Sequence, residues 1–254
     1  WIGTQRMVLI SSTNSETWEF DYSSQMRSDE NGTWSVTVGL DDSKRPVPRQ
    51  NAAITSLQVG NAVYALLFGG KSTTNSNQPP PPNSEPGLFG DTWLYYNKAW
   101  KLLKYPSGAV QPKHRSKHAM TMIAGTSSVL MFGGSTSEIS KRSQQYVHDI
   151  LNEAWVFTYD KGWTNVTGSK SQTMPPARID SAMAPIGKKL VLLFAGRHLD
   201  KMPHQDTWIY NHSVANLEER WRRVHPATSP RSRTNHAMVD FDDNCVVLYG
   251  GTDP

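Results

Sequence analysis

Short apolar runs rich in β-branched and aromatic residues recur along the chain, each closed by a pair of small residues. Ser128 to Phe132, Leu190 to Phe194 and Cys245 to Tyr249 end in Gly133-Gly134, Ala195-Gly196 and Gly250-Gly251. Runs of this length, bounded by glycine, read as buried strands. A diglycine at the end of such a strand supplies a corner with positive φ or a close backbone approach. Before each run stands Arg-x-x-(His/Ser/Ala)-Ala-(Met/Ile), at Arg49, Arg115, Arg178 and Arg233, with intervals of 66, 63 and 55 residues. That period is near the roughly 50 residues of one β-propeller repeat and well above those of the common helical repeats.

A second half-unit follows the first three runs: an acidic residue, one small residue and a Trp, then a later Trp. The copies are Asp91-Thr92-Trp93 with Trp100, Glu153-Ala154-Trp155 with Trp163, and Asp206-Thr207-Trp208 with Trp221; Glu16-Thr17-Trp18 with Trp34 stands alone at the N-terminus. Each unit thus predicts four strands. The first carries the Ala-Met pair, the second ends at the small residues, the third carries the first Trp and the fourth begins near the second. Two tryptophans per unit exceed what one small sheet can bury, so neighbouring sheets must cover them.

The diglycines, the acid-x-Trp triplets and the second tryptophans together resemble the kelch repeat over nearly the whole chain, and the Pro-x-x-Arg-x-x-His lead-in resembles the attractin-like and Rab-effector class more than the BTB-kelch adaptors. The resemblance implies an all-β fold: a kelch-type propeller of four-stranded antiparallel blades. The units run about 1–47 (partial), 48–112, 113–176, 177–229 and 230–254 (partial), with Met7 to Ile10 read as a second strand. Both partial units contain strand two, so they do not complement each other. The expectation is a segment of a six- or seven-bladed ring whose remaining blades come from chain outside this segment.

Composition narrows the picture modestly. Charged residues make 19% of the 254, below the roughly 25% of an average soluble protein. This weakly charged surface and the sequons at Asn31, Asn165 and Asn211 predict an extracellular or secretory glycoprotein, with an intracellular adaptor as the alternative. The single Cys245 forms no internal disulfide and reads as a small core hydrophobe. There is no apolar run long enough to span a membrane. A net charge of +4 without a reading motif or interleaved aromatics argues against a nucleic-acid partner.

Candidate chemistry falls on one face. Loops between strands two and three are long (71–90, 135–151, 197–205), whereas the one-to-two turns at Gly60-Asn61, Gly125-Thr126, Gly187-Lys188 and Asp243-Asn244 are tight. Arg49, Arg115, Arg178 and Arg233 precede strand one and are expected around the channel mouth on the long-loop face. Guanidiniums there suit bidentate capture of carboxylates from an acidic protein segment, with Phe89 and Tyr146 as loop aromatics. The competing role is a brace between blade and loop through backbone carbonyls. His118 and His236 share a slot with Ser181 and an alanine, so they read as packing residues. The recurring acids read as scaffold.

His198, Asp200, His204 and Asp206 fit no metal-ligand spacing, Asp240, Asp242 and Asp243 are turn chemistry, and Pro79 to Pro82 form a stiff loop. No metal and no cofactor is expected. Nor does any phosphate loop, Gly-x-Ser-x-Gly or His-Glu-x-x-His motif occur. The reading is a non-catalytic interaction scaffold that binds a protein partner, with a carbohydrate-directed enzyme or lectin-like module as the alternative.

Overall fold

In a computed structural model of the chain, the described residues are 4–10, 12, 16–23, 32–37, 45–73, 87–139, 146–169, 173–198 and 202–253. They form an all-β repeat. The first sheet holds β1 (Thr4–Ile10), β2 (Thr17–Ser23) and β3 (Thr33–Thr37) in that order. The second unit contributes β4 (Arg49–Gln50), β5 (Ala53–Val59), β6 (Ala62–Phe68), β7 (Lys71–Ser72), β8 (Thr92–Tyr96) and β9 (Ala99–Leu102). Of these, β5-β6-β8-β9 make a four-stranded sheet and β4 pairs with β7 beside it.

The third unit repeats the plan with β10 (Ala119–Ile123), β11 (Ser128–Phe132), β12 (Ser135–Ile139), β13 (Tyr146–Ile150), β14 (Ala154–Thr158) and β15 (Gly162–Asn165). Its sheet is β10-β11-β14-β15, and β12 and β13 form a hairpin inside the long connection. The fourth sheet is β16 (Ala182–Pro185), β17 (Leu190–Phe194), β18 (Thr207–Asn211) and β19 (Trp221–Val224). A fifth, two-stranded sheet pairs β20 (Thr234–Asp242) with β21 (Cys245–Thr252). All pairings are antiparallel, so each four-stranded sheet is an up-and-down blade.

Strand-one elements β5, β10, β16 and β20 contact one another in sequence, which puts them innermost. The apolar core lies between blades and is continuous from one to the next. Leu66, Phe68 and Leu94 of the second sheet pack on Val129, Met131, Trp155, Phe157 and Trp163 of the third. On the third sheet's other face, Leu130, Phe132 and Val156 pack on Val191, Leu193, Trp208, Tyr210 and Trp221 of the fourth. Alternating residues of one strand thus serve two different interfaces, as a period of two requires.

One sequence expectation is corrected. Cys245 is exposed rather than buried. It lies on the same side of β21 as Val247 and Tyr249, and no further sheet among the described residues covers that side.

Candidate functional site

Each complete blade is braced by the same relay. Nε of Arg49, Arg115 and Arg178 donates to the carbonyl two residues earlier, at Val47, Lys113 and Pro176 (3.0 to 3.1 Å). Nη1 donates to the carbonyl of the first small residue after strand two, at Gly69, Gly133 and Ala195 (2.8 to 3.0 Å). The guanidinium then meets the acid of the triplet: Asp91 through two bonds (2.6 and 2.9 Å), Glu153 at 2.6 Å and Asp206 through two bonds of 2.8 Å. That same carboxylate accepts the indole N–H of Trp93 (2.7 Å), Trp155 (3.0 Å) or Trp208 (2.7 Å).

Arg, small-residue corner, acid and first Trp are therefore one unit, which is why they recur together. Burial pushes the carboxyls of Glu153 and Asp206 up, but the arginine and indole donors outweigh it and hold both below the usual range.

Arg49 is 4% exposed, and Arg115 and Arg178 are fully buried. Their donors are spent inside the blade, which is the geometry of a brace. Arg233 is half-buried and repeats only the first two contacts, to Arg231 and Gly250 carbonyls. Phe89 is buried with the Arg49 guanidinium 4.2 Å from its ring centre, so it packs under the brace. The Tyr146 side chain lies outside the described residues, as do Asn31, Asp200 and the tetraproline. Asn165 is exposed and Asn211 half-buried; their side-chain carbonyls accept from Thr167 and Ser213 N–H.

Two residues beyond each Arg, the chain forms a feature that the sequence did not announce. Asn51, Lys117, Asp180 and Asn235 all take positive φ, between 55° and 59°. N–H of Lys117, Asp180 and Asn235 donates to the carbonyl of Asn51, Lys117 and Asp180 respectively, at 2.9, 3.1 and 3.1 Å. These bonds link four successive units near the axis. Left-handed backbone costs a non-glycine residue about 1–2 kcal/mol, least for Asn and Asp, so the cross-blade bond is what holds Lys117 there. The Asp180 carboxylate lies 3.8 Å from Lys117 Nζ and 3.3 Å from Arg197 Nε.

The corners are locked in the same manner. N–H of Gly70, Gly134 and Gly196 donates to the carbonyl of the next unit's Arg115, Arg178 and Arg233 (2.8 to 3.0 Å). At Gly133, φ is 71° and a Cβ would stand 2.5 Å from the Arg178 carbonyl oxygen, so both sterics and conformation call for glycine.

His118 and His236 pack edge-on against Phe68 and Phe194 of the preceding blade, with ring centres 5.6 and 5.7 Å apart. Burial, then the neighbouring Arg115 or Arg233 charge, lowers their pKa values to about 3 and about 4. Both are neutral packing groups at neutral pH.

What remains displayed on the long-loop face is the loop material itself and a cleft of about 410 Å³ lined by Pro176, His204, Gln205, Arg223, His225 and Ser229 among others. Arg223 and His225 are exposed there. Among the described residues no group of three or more His, Cys, Asp or Glu side chains is placed to hold a metal.

Comparison with known proteins agrees with this architecture. A curated F-box/kelch-repeat protein of Arabidopsis thaliana is 30% identical over 173 residues, covering 63% of this chain and 33% of the relative. The tRNA wybutosine-synthesizing protein 4 of Aspergillus fumigatus is 26% identical over 188 residues, covering 70% and 15%. The chain spans a third or less of the length of these relatives. Among solved structures, YjhT superposes with a TM-score of 0.63 at 13% identity, over 99% of this chain and 73% of that one. A chain of RAG in complex with one melted and one unmelted RSS gives 0.58 at 11%, over 93% and 71%. Residues 11–251 match the family described as the KLHDC2/KLHL20/DRC7 Kelch-repeats domain. The chain belongs to that kelch-repeat family, whose domains generally mediate protein–protein interaction.

Proposed function

With the chain a kelch-repeat protein, we propose that it is a non-catalytic scaffold that binds a protein partner through its long-loop face. The observation that carries this reading is the division of labour between faces. Tight turns join strands one and two of the second to fifth units, while at the other end the braces and cross-blade bonds fix the roots of long connections, one of which folds into the β12–β13 hairpin. Rigid roots under elaborated loops are the usual setting for recognition.

The guanidiniums of Arg49, Arg115 and Arg178 hold that face rather than touch the partner. The contact residues are those displayed around them: Lys117 and Arg197 near the axis, and Arg223 and His225 in the outer cleft. The charge of Lys117, Arg197 and Arg223 suits an acidic segment. Secreted context with glycans at Asn31, Asn165 and Asn211 is the compartment that the weakly charged surface favours.

A fluorescent, glutamate-rich peptide read by anisotropy tests the proposal. Lys117→Ala with Arg197→Ala, or Arg223→Ala, should weaken binding at least several-fold and flatten its salt dependence, while Lys98→Ala with Lys161→Ala on the tight-turn face should not. Equal losses from both faces, or none from the first set, would reject it.

A further inference from the structure

Each unit brings the same short contact near the axis. The residue after the repeat Arg lies antiparallel to the residue after the small-residue corner: Gln50 with Lys71, Ser116 with Ser135, Ile179 with Arg197 and Thr234 with Thr252. Next along the chain stands the residue of positive φ, which is Asn51, Lys117, Asp180 or Asn235. The charged residues at these recurring positions are Lys71, Lys117, Arg197 and Asp180, so a set of cations contains a single acid. That acid does nothing for the fold that an amide does not do, since Asn51 and Asn235 take the same φ and Asn235 N–H makes the same cross-blade bond. Nor is it held as the brace acids are. Asp91 and Asp206 meet their arginines through paired hydrogen bonds of 2.6 to 2.9 Å. Asp180 Oδ2 is buried and accepts no hydrogen bond among the described residues; Lys117 Nζ and Arg197 Nε stand off at 3.8 and 3.3 Å. The Asp180 side chain is 6% exposed, whereas those of Lys117 and Arg197 are each 33% exposed. A loosely held carboxylate thus lies behind two cations that remain open to solvent.

We propose that Asp180 is an internal competitor for the axial cations, and thereby the residue that sets how strongly the long-loop face takes an acid. An incoming carboxylate at Lys117 and Arg197 meets cations that are already partly neutralised, with a like charge beside them. Both effects oppose it, and a built-in repulsive group of this kind is a recognised source of selectivity. The looseness of the internal contact decides the sign. A carboxylate that gripped the cations through short hydrogen bonds would orient them for a partner. At 3.3 to 3.8 Å without a hydrogen bond, Asp180 acts through its charge alone. The partner rests on the loop-face reading above, whereas the competition is a property of these three side chains.

The test follows the Arg197 Nε–H resonance while glutarate is added. Asp180→Asn should tighten glutarate binding about threefold or more. Asp180→Lys, which introduces a residue that Lys117 shows to be accepted at this φ, should tighten it further. Asp160→Asn, which removes an exposed acid on the tight-turn face, should leave it unchanged, and glutaramide, the uncharged analogue, should not respond to any of these changes. The thermal midpoint of Asp180→Asn should match that of the parent, because the cross-blade bonds here are main-chain bonds. Unchanged or weaker glutarate binding in Asp180→Asn overturns the proposal, and weaker binding would make Asp180 a positioning residue for the cations. The glutamate-rich peptide is measured beside it. A glutarate series in the expected order without peptide binding would sink the loop-face reading alone; peptide binding with no response of glutarate to Asp180→Asn would sink this inference alone.

Discussion

Two neighbouring interfaces bury the same ring in the same way and differ by one hydrogen bond. Between the second and third sheets, Trp163 lies edge-on to Phe68 at 5.0 Å and 63°, and its indole N–H donates to Thr92 Oγ1 at 2.9 Å. Between the third and fourth, Trp221 lies edge-on to Phe132 at 5.2 Å and the same 63°, but its buried N–H has no partner among the described residues. Trp100 donates to Thr17 at 2.8 Å, which identifies the rule: the second Trp of each blade reaches back to the middle residue of the preceding blade's triplet. In the third blade that residue is Ala154. Ring packing is thus set by the repeat, while polar satisfaction depends on a single side chain one blade away.

Breaking the third blade's brace should have the largest effect on this pair of interfaces. Arg115→Ala removes a buried cation and the guanidinium that ties Glu153 to the Gly133 carbonyl, so it should cost about 3–5 kcal/mol, read by urea denaturation. Thr92→Ala makes the first interface resemble the second; leaving the Trp163 N–H unmet should cost about 1–3 kcal/mol. Equal stability of mutant and parent would show that water meets this group.

The reverse change, Ala154→Thr, should sharpen the comparison by adding about 1 kcal/mol, since Thr17 and Thr92 already fit the corresponding buried space. Smallest is a change of slope. Between about pH 6.5 and 3 the unfolded chain binds a proton at His118 that the folded chain refuses, so stability falls on acidification through that window. Glu153 and Asp206, held below their usual range, lose their contribution in the same direction at the acid end. His118→Ser, the residue used at Ser181, should flatten the dependence, as measured by denaturation at a series of pH values.

The blades were legible in the sequence because their strands are short, apolar and closed by residues of restricted use: β11 and β17 coincide with the runs read from Ser128 to Phe132 and Leu190 to Phe194. The β12–β13 hairpin was not legible, since Ser135, Thr136, Ser137 and Glu138 carry no apolar alternation and their pairing rests on backbone bonds. Arginine orientation was hidden for a different reason. The partner of Arg49 is Asp91, distant in sequence and adjacent only once β6 and β8 pair. A signal was nonetheless present, because each complete unit carries one recurring Arg and one recurring acid, the stoichiometry of a pair. The burial expected of Cys245 failed because strand pattern identifies a core-type side without identifying what lies across it.

The belt through Asn51, Lys117, Asp180 and Asn235 is made entirely of main-chain donors and acceptors. Sequence drift at these four positions therefore leaves the three cross-blade bonds in place, provided the new residue accepts positive φ, while altering the chemistry presented around the axis. Natural variation and directed evolution can both change these keys along one fixed arc, with Asn, Asp and Gly the least costly choices, so specificity can diverge there without renegotiating the fold.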